Sequence, residues 1–264
     1  MKILSWNVNW IRAVIQKWFF DWVKENDADI ICLQEVKAFE IQIPAEIRFH
    51  LSDYNYLWHK WTRPGYAGTA IFYKRWVEVV EKKSDFPFHE FSDEGRVTEV
   101  VFKYGKSVIH LLNVYFPNGW DRADGTEMLS YKLDFYEKMR QYIQWIRDSG
   151  EWAIICGDFN ICHTEIDIAR PKENENSIWF LPIERAKMDK LESDGLIDVF
   201  RKLNPGLKDQ YTWWSYRGWA RERNVGRRLD YYWVSPELFD NVESMQHQTK
   251  VKGSDHCPIR LDLR

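Results

Sequence analysis

Asp158 and Asn160 stand two residues apart in Gly157-Asp158-Phe159-Asn160, directly after the apolar run 152–156. Residues i and i+2 of an extended chain project to the same side. A carboxylate suited to holding a water and an amide suited to a phosphate oxygen would therefore share one face. The same four residues equally suit a turn that closes a strand. Further along, Ser254-Asp255-His256-Cys257-Pro258 sets an acid beside a histidine just ahead of the run 258–261. Asp255 there either caps a turn or faces a metal, and His256 is either incidental or a phosphate contact. Asp230, in Arg227-Arg228-Leu229-Asp230-Tyr231, is a carboxylate able to orient and charge His256. Glu35 follows the run 30–33 and Asn7 the run 3–6. A strand-end carboxylate is a hard oxygen ligand of the kind magnesium prefers, and it is also a common solvated residue. Taken together these are the parts of metal-assisted phosphodiester hydrolysis: charge neutralisation, a base for water, and donors for the developing charge. No Gly-rich phosphate loop, Ser-His-Asp signature or HExxH competes with that reading.

The elements that must position these residues are short. Apolar runs at 3–6, 30–33, 69–73, 97–102, 108–114, 152–156, 229–234 and 258–261 predict buried strands. Polar residues gather where the runs end: Asn7, Gln34-Glu35, Asn113-Val114-Tyr115 and Gly157-Asp158-Phe159-Asn160. Strand ends on an α/β scaffold are where sites are usually built, so four such ends are expected to converge on one metal. Between the runs lie helical patterns. Residues 12–26 place Val14, Ile15, Trp18, Phe19, Trp22 and Val23 on one face, and 127–149 repeats the pattern before Gly150. A third helix starts at Pro182 and ends at Gly195. Helices separate some strands and hairpins others, which predicts a mixed-sheet α/β fold. No linker or low-complexity stretch divides residues 1–264, so one domain is expected.

Composition narrows the class. Apolar residues at 45% and charged residues at 29% describe an ordinary globular chain rather than a disordered one. A net charge of -3 withholds the global basic signal of many nucleic-acid binders. Nucleic-acid binding must then come from local charge. Cys32, Cys156 and Cys257 lie in or beside apolar runs, and with Cys162 they form no CxxC pair, which argues against zinc and for a reducing cytosol. MKILSWNVNW is no signal peptide and no segment approaches a membrane span. Most of the 15 tryptophans are expected in the core, with some left for a ligand.

Nine motifs in register make the pattern specific: SWNVN at 5–9, LQE at 33–35, GTAIFYK at 68–74, NVYFPNG at 113–119, GDFN at 157–160, ARPKEN at 169–174, YTWWSYR at 211–217, NVGRRLDYY at 224–232 and GSDHCPI at 253–259. On these motifs the chain resembles the exonuclease III and apurinic/apyrimidinic endonuclease family, within the endonuclease/exonuclease/phosphatase superfamily. The resemblance implies a four-layered α/β sandwich, two mixed sheets packed face to face with helices outside. It implies Mg2+, with Mn2+ able to substitute, bound by Glu35 with Asn7, Asp255, Asp158 and Asn160 close by. Asp158, helped by Asn160, would position the attacking water. His256, paired with Asp230, would contact the scissile phosphate, with Tyr115, Asn118 and Asn174 adding contacts to its oxygens. Trp213, Trp214 and Leu229 match the family's apolar pocket for a flipped-out abasic sugar. The implied substrate is double-stranded DNA with abasic or otherwise damaged sites, cut 5′ to the abasic site, with 3′-to-5′ exonuclease and 3′-phosphodiesterase activities besides. A cytoplasmic monomer, nucleoid-associated in a prokaryote, completes the expectation.

The chain departs from the family at three places. Trp10 stands where relatives usually carry glycine, and Arg227 where many place a large apolar side chain. An arginine in the sugar pocket would swing aside for a bulkier nucleotide, reach a flanking phosphate, or face solvent. Residues 120–130 have no clear counterpart. Arg217, Arg221, Arg223, Arg227 and Arg228, interleaved with Trp213, Trp214 and Trp219, predict a local surface for phosphates and unstacked nucleotides. Two other readings remain: a superfamily relative acting on RNA or a phospholipid, and a DNA-binding module without catalysis. The first lacks an apolar membrane-facing hairpin. The second would require loss of a core acid, and all are present.

Overall fold

The computed structural model describes residues 1–42, 45–59, 65–92 and 94–264. Its strands are β1 (Lys2–Asn7), β2 (Ile30–Gln34), β3 (Tyr54–Trp58), β4 (Ala70–Lys74), β5 (Val79–Lys83), β6 (Val97–Tyr104), β7 (Ser107–Tyr115), β8 (Trp152–Asp158), β9 (Ile197–Asp198), β10 (Asp230–Val234), β11 (Val242–His247) and β12 (Ile259–Leu263). They form two six-stranded sheets, ordered β11-β12-β1-β2-β4-β3 and β5-β6-β7-β8-β10-β9. Both are mixed: β1 runs parallel to β2 and β7 parallel to β8, and the other pairs are antiparallel.

Apolar residues leave both faces of each sheet, so each needs two partners. Ile3, Ile30, Cys32 and Ile71 of the first sheet pack on Val100, Leu111, Ile154 and Tyr232 of the second. Leu4, Trp6, Ile31 and Phe72 point the other way, under helices Ile11–Ile15, Phe19–Asn26 and Ala45–His50. Leu112, Val114, Ile155 and Trp233 do the same beneath helices Leu129–Asp148 and Pro182–Ser193. The order helix, sheet, sheet, helix is the four-layered sandwich that the family resemblance implies.

The predicted helix 12–26 is two helices, Ile11–Ile15 and Phe19–Asn26. The break lets Phe19 and Trp22 close on Trp6, with ring centroids 6.3 and 4.9 Å away, and turns Trp18 out to 61% exposure. The expectation that most tryptophans are core is also corrected. Trp6, Trp22, Trp58, Trp214 and Trp233 are buried, but Trp10, Trp18, Trp76, Trp120, Trp145 and Trp219 are exposed. Asn113 is another correction, because it leaves the site altogether. Its amide nitrogen donates to the carbonyls of Leu33 and Ala70, at 3.0 Å each, and its oxygen accepts from Gln34 at 2.6 Å. Fully buried, it ties β7 to β2 and β4 across the sandwich.

Candidate active site

Sheet register brings the motif residues to one end of the sandwich. In the parallel pair β1–β2, Asn7 lies opposite Gln34, so the next residue, Glu35, emerges beside it. In β7–β8, Tyr115 lies opposite Asp158, and in β8–β10 Asp158 lies opposite Asp230. Gly157 makes this register possible: its φ is 129°, and a Cβ built on it would sit 2.0 Å from the Val114 carbonyl oxygen. Just past the strand ends, Asn9, Glu35, Lys37 and Asn160 all hold positive φ, between 45° and 51°. Strain of this kind persists only where surrounding contacts fix it.

Asn7 is the hub of the polar contacts. Its amide donates to Glu35 Oε1 and to Asp158 Oδ2, both at 2.9 Å, bridging the two sheets. Asp158 Oδ1 accepts from the Asn160 backbone N–H at 2.9 Å. His256 places Nε2 3.7 Å from Asp158 Oδ2, and its Nδ1 lies 2.9 Å from Asp230 Oδ2. Burial works against a charged His256, but Asp230 and Asp158 outweigh it and push its pKa up to about 10. Burial raises Asp158 to about 7; His256 opposes that rise and Asp230 and Glu35 reinforce it. Burial, then Glu35, keeps the Tyr115 phenol protonated far above its ordinary range, against the pull of Arg96.

A divalent cation fits this donor set. Oxygen or nitrogen atoms of Glu35, Asp158 and His256 lie within 4.8 Å of one another. His256, held as a cation by Asp230, is a proton donor rather than a ligand, which leaves the two carboxylates and the Asn7 amide. Charge points the same way. The carboxylates of Glu35, Asp158, Asp230 and Asp255 gather in one place, and among the described residues the cations in ion pairs with them are His256 and Lys37, whose Nζ lies 2.6 Å from Glu35 Oε2. Asp255 is held apart from that group: Oδ1 accepts from Asn9 and Oδ2 from the Trp213 indole, each at 2.9 Å.

The remaining expected residues divide. Asn118 is half-buried, its side-chain oxygen accepting from the Trp120 backbone N–H. Asn174 donates to the Ala169 and Arg170 carbonyls and accepts from Arg227. Trp213 and Leu229 share a cluster with Ile168 and Phe180, but Trp214 packs elsewhere, with Tyr211, Ala220 and Cys257. Arg227 does not face solvent: its guanidinium lies over the rings of Trp179 and Trp213. Trp10 is 47% exposed with φ 125°, a backbone suited to the glycine usual there, so it is not core.

The arginine-rich segment is a weaker basic surface than its sequence predicts. Arg228 is fully buried against Asp167 and Asp198, and Arg221 donates to the carbonyls of Ser254, Thr249 and Val251. Both serve the fold. Arg217 and Arg223 remain exposed, and they line a cleft of ≈ 370 Å³ with Arg170, Arg227 and Trp213. Sequence reasoning passed over Asn9, Lys37 and Trp179. Asn9 lay inside a quoted motif, whereas Lys37 and Trp179 carried no signal of their own.

A model of the Endonuclease/Exonuclease/phosphatase family matches residues 4–256. The Exodeoxyribonuclease of Bacillus subtilis (strain 168) is 38% identical to this chain, over 99% of it and 98% of the relative. The DNA-(apurinic or apyrimidinic site) endonuclease of Dictyostelium discoideum is 35% identical, over 98% of this chain and 69% of the relative. Among solved structures, an AP endonuclease from Archaeoglobus fulgidus superposes with a TM-score of 0.86 at 30% identity, covering 100% of this chain and 99% of that one. Among the described residues, no helix is long and apolar enough to cross a membrane. The chain belongs to the endonuclease/exonuclease/phosphatase family, in its exonuclease III and AP endonuclease branch.

Proposed function

We propose that the protein is a Mg2+-dependent DNA-repair phosphodiesterase, with Mn2+ able to substitute. Its repertoire comprises incision of duplex DNA 5′ to abasic sites, 3′-to-5′ exonuclease action and removal of blocking groups from 3′ ends. It acts as one domain and as a monomer, in the cytoplasm. The observation that carries this reading is the continuous chain Glu35–Asn7–Asp158–His256–Asp230, which spans both sheets.

Glu35, with Asn7 and Asp158 beside it, offers the donor set for the cation. When bound, that cation supplies neutralisation of phosphate charge. Asp158, with a pKa near neutrality, takes a proton from the attacking water, the condition under which a general base works best. Asn160 holds the Asp158 carboxylate through its backbone N–H. The imidazolium of His256 and the protonated phenol of Tyr115 donate to phosphate oxygens, with Asn118 at the rim. Asp230 acts through His256, fixing its ring and its charge.

A labelled duplex with one abasic site, incubated with Mg2+, with Mn2+ and with excess chelator, tests the reading. Cleavage should need the metal, and Glu35→Ala should lower the rate by about two to three orders of magnitude. Full activity in chelator would sink the metal-dependent reading. Asp230→Asn should cost roughly tenfold, and the high-pH limb of the rate profile should move to lower pH. The sign follows from His256: removing the Asp230 charge lowers its pKa from about 10, so the imidazolium is lost earlier as pH rises. An unmoved limb would remove Asp230 from the mechanism.

A further inference from the structure

The walls expected to receive a flipped abasic sugar, Trp213 and Leu229, are already covered. Trp179 joins their cluster, meeting Trp213 edge to face at a centroid separation of 5.2 Å. The Arg227 guanidinium lies over both indoles, 5.0 Å from Trp179 and 5.4 Å from Trp213, and Nη2 donates to Asn174 at 3.0 Å. Trp179 is fixed on its remaining sides. Its indole N–H donates to the Asn118 carbonyl at 2.9 Å, its own carbonyl accepts from the Cys162 N–H at 2.7 Å, and Trp120 packs edge-on against it. The plug therefore stands between Asn118, proposed above to meet phosphate, and Trp213.

Two further facts set Trp179 and Arg227 apart from ordinary packing. Trp179 has φ 81°, a conformation rarely adopted by L side chains, so its backbone is strained to hold the ring there. Arg227 forms no ion pair among the described residues, and burial lowers its pKa with no carboxylate to offset it. It is a half-buried cation whose Nη2 donates to Asn174 and whose guanidinium lies over the two indoles.

We propose that Trp179 and Arg227 close the sugar pocket, so that this chain removes terminal 3′-phosphates from DNA in preference to incising internal abasic sites. An internal abasic phosphodiester carries a sugar beyond the scissile phosphorus, and that sugar meets the plug. A 3′-phosphomonoester has nothing beyond phosphorus and carries more negative charge, which suits the unpaired guanidinium. Water adds to phosphorus as the P–O3′ bond breaks. The water proton passes to Asp158 and from it to solvent, and the leaving O3′ takes its proton from solvent water, giving a 3′-hydroxyl and inorganic phosphate. The inference rests on the hydrolase reading above and refines its substrate.

The test compares kcat/KM on two duplexes of one sequence, one with a 3′-phosphate at a one-nucleotide gap and one with an internal tetrahydrofuran abasic analogue, both with Mg2+. The wild type should favour the 3′-phosphate by about a hundredfold or more, a difference a closed pocket is able to impose. Trp179→Gly relieves the backbone strain and opens the pocket, so the ratio of abasic incision to phosphate release should rise at least about tenfold. Arg227→Met, which keeps the bulk, should weaken binding of the 3′-phosphate duplex more than that of the tetrahydrofuran duplex. A wild type that cuts the tetrahydrofuran duplex as fast as it releases phosphate would overturn the proposal and leave the hydrolase reading intact. An unchanged ratio in a folded Trp179→Gly protein would do the same. Inertness toward both duplexes would instead fail the hydrolase reading, and this proposal with it.

Discussion

Replacing Asp158 with asparagine should lower turnover about a hundredfold or more, equivalent to roughly 2.7 kcal/mol of lost transition-state stabilisation. The substitution keeps the shape of the side chain and its acceptor for the Asn160 N–H, but it removes the carboxylate that touches both Asn7 and His256. An amide cannot take the proton from water, and its NH2 group now faces the amide of Asn7 and the imidazolium of His256. DNA binding should survive, because the exposed arginines and the aromatic rim are untouched. Single-turnover rates and a parallel binding titration check both halves. If Asp158→Asn and His256→Asn each cut at near-native rates, the chemistry lies elsewhere.

Gly157→Ala should unfold the protein more readily than any single change at the site. Val114 and Gly157 are register partners in β7–β8, and the new Cβ would meet the Val114 carbonyl oxygen at 2.0 Å and its carbon at 3.0 Å. Neither atom belongs to a flexible side chain, so the strands must part. They part beside Tyr115 and Asp158, the next pair in the ladder. A cost of about 3 kcal/mol or more is expected, with a midpoint lower by about 6–12 °C. Thermal unfolding followed by circular dichroism measures it. A midpoint within about 2 °C of the native one would contradict the close approach.

The contrast between strands that the sequence revealed and those it hid has a physical basis. β1, β2, β7 and β8 are buried on both faces and read as unbroken apolar runs, so their polar ends stood out. β3, β5 and β11 lie at or next to sheet edges with exposed residues among buried ones, and two-residue β9 is too short to carry a period. The core of the site was legible for the same reason: Asn7, Glu35, Asp158 and His256 sit at strand ends or in loops tied to them. What stayed illegible depends on where long side chains go. Arg227 and Arg228 are neighbours in sequence, yet one stacks on two indoles and the other vanishes into an ion-pair network. Trp179 closes a pocket whose other walls come from distant segments, and nothing in its local sequence announces that contact.

The first sheet is assembled from both ends of the numbering, whereas the second draws only on residues between Val79 and Val234. During synthesis the second sheet and its helices can pack first, as domains form progressively behind the ribosome. At that stage β1 is an open edge, because its partner β12 has not been made. Glu35, Asp158 and Asp230 are already present, but His256, three residues before the strand that closes β1, is not. Completion of the site is therefore tied to completion of the first sheet. A partly made chain that stops short of His256 carries the acids without the imidazolium they surround, and so lacks a complete site.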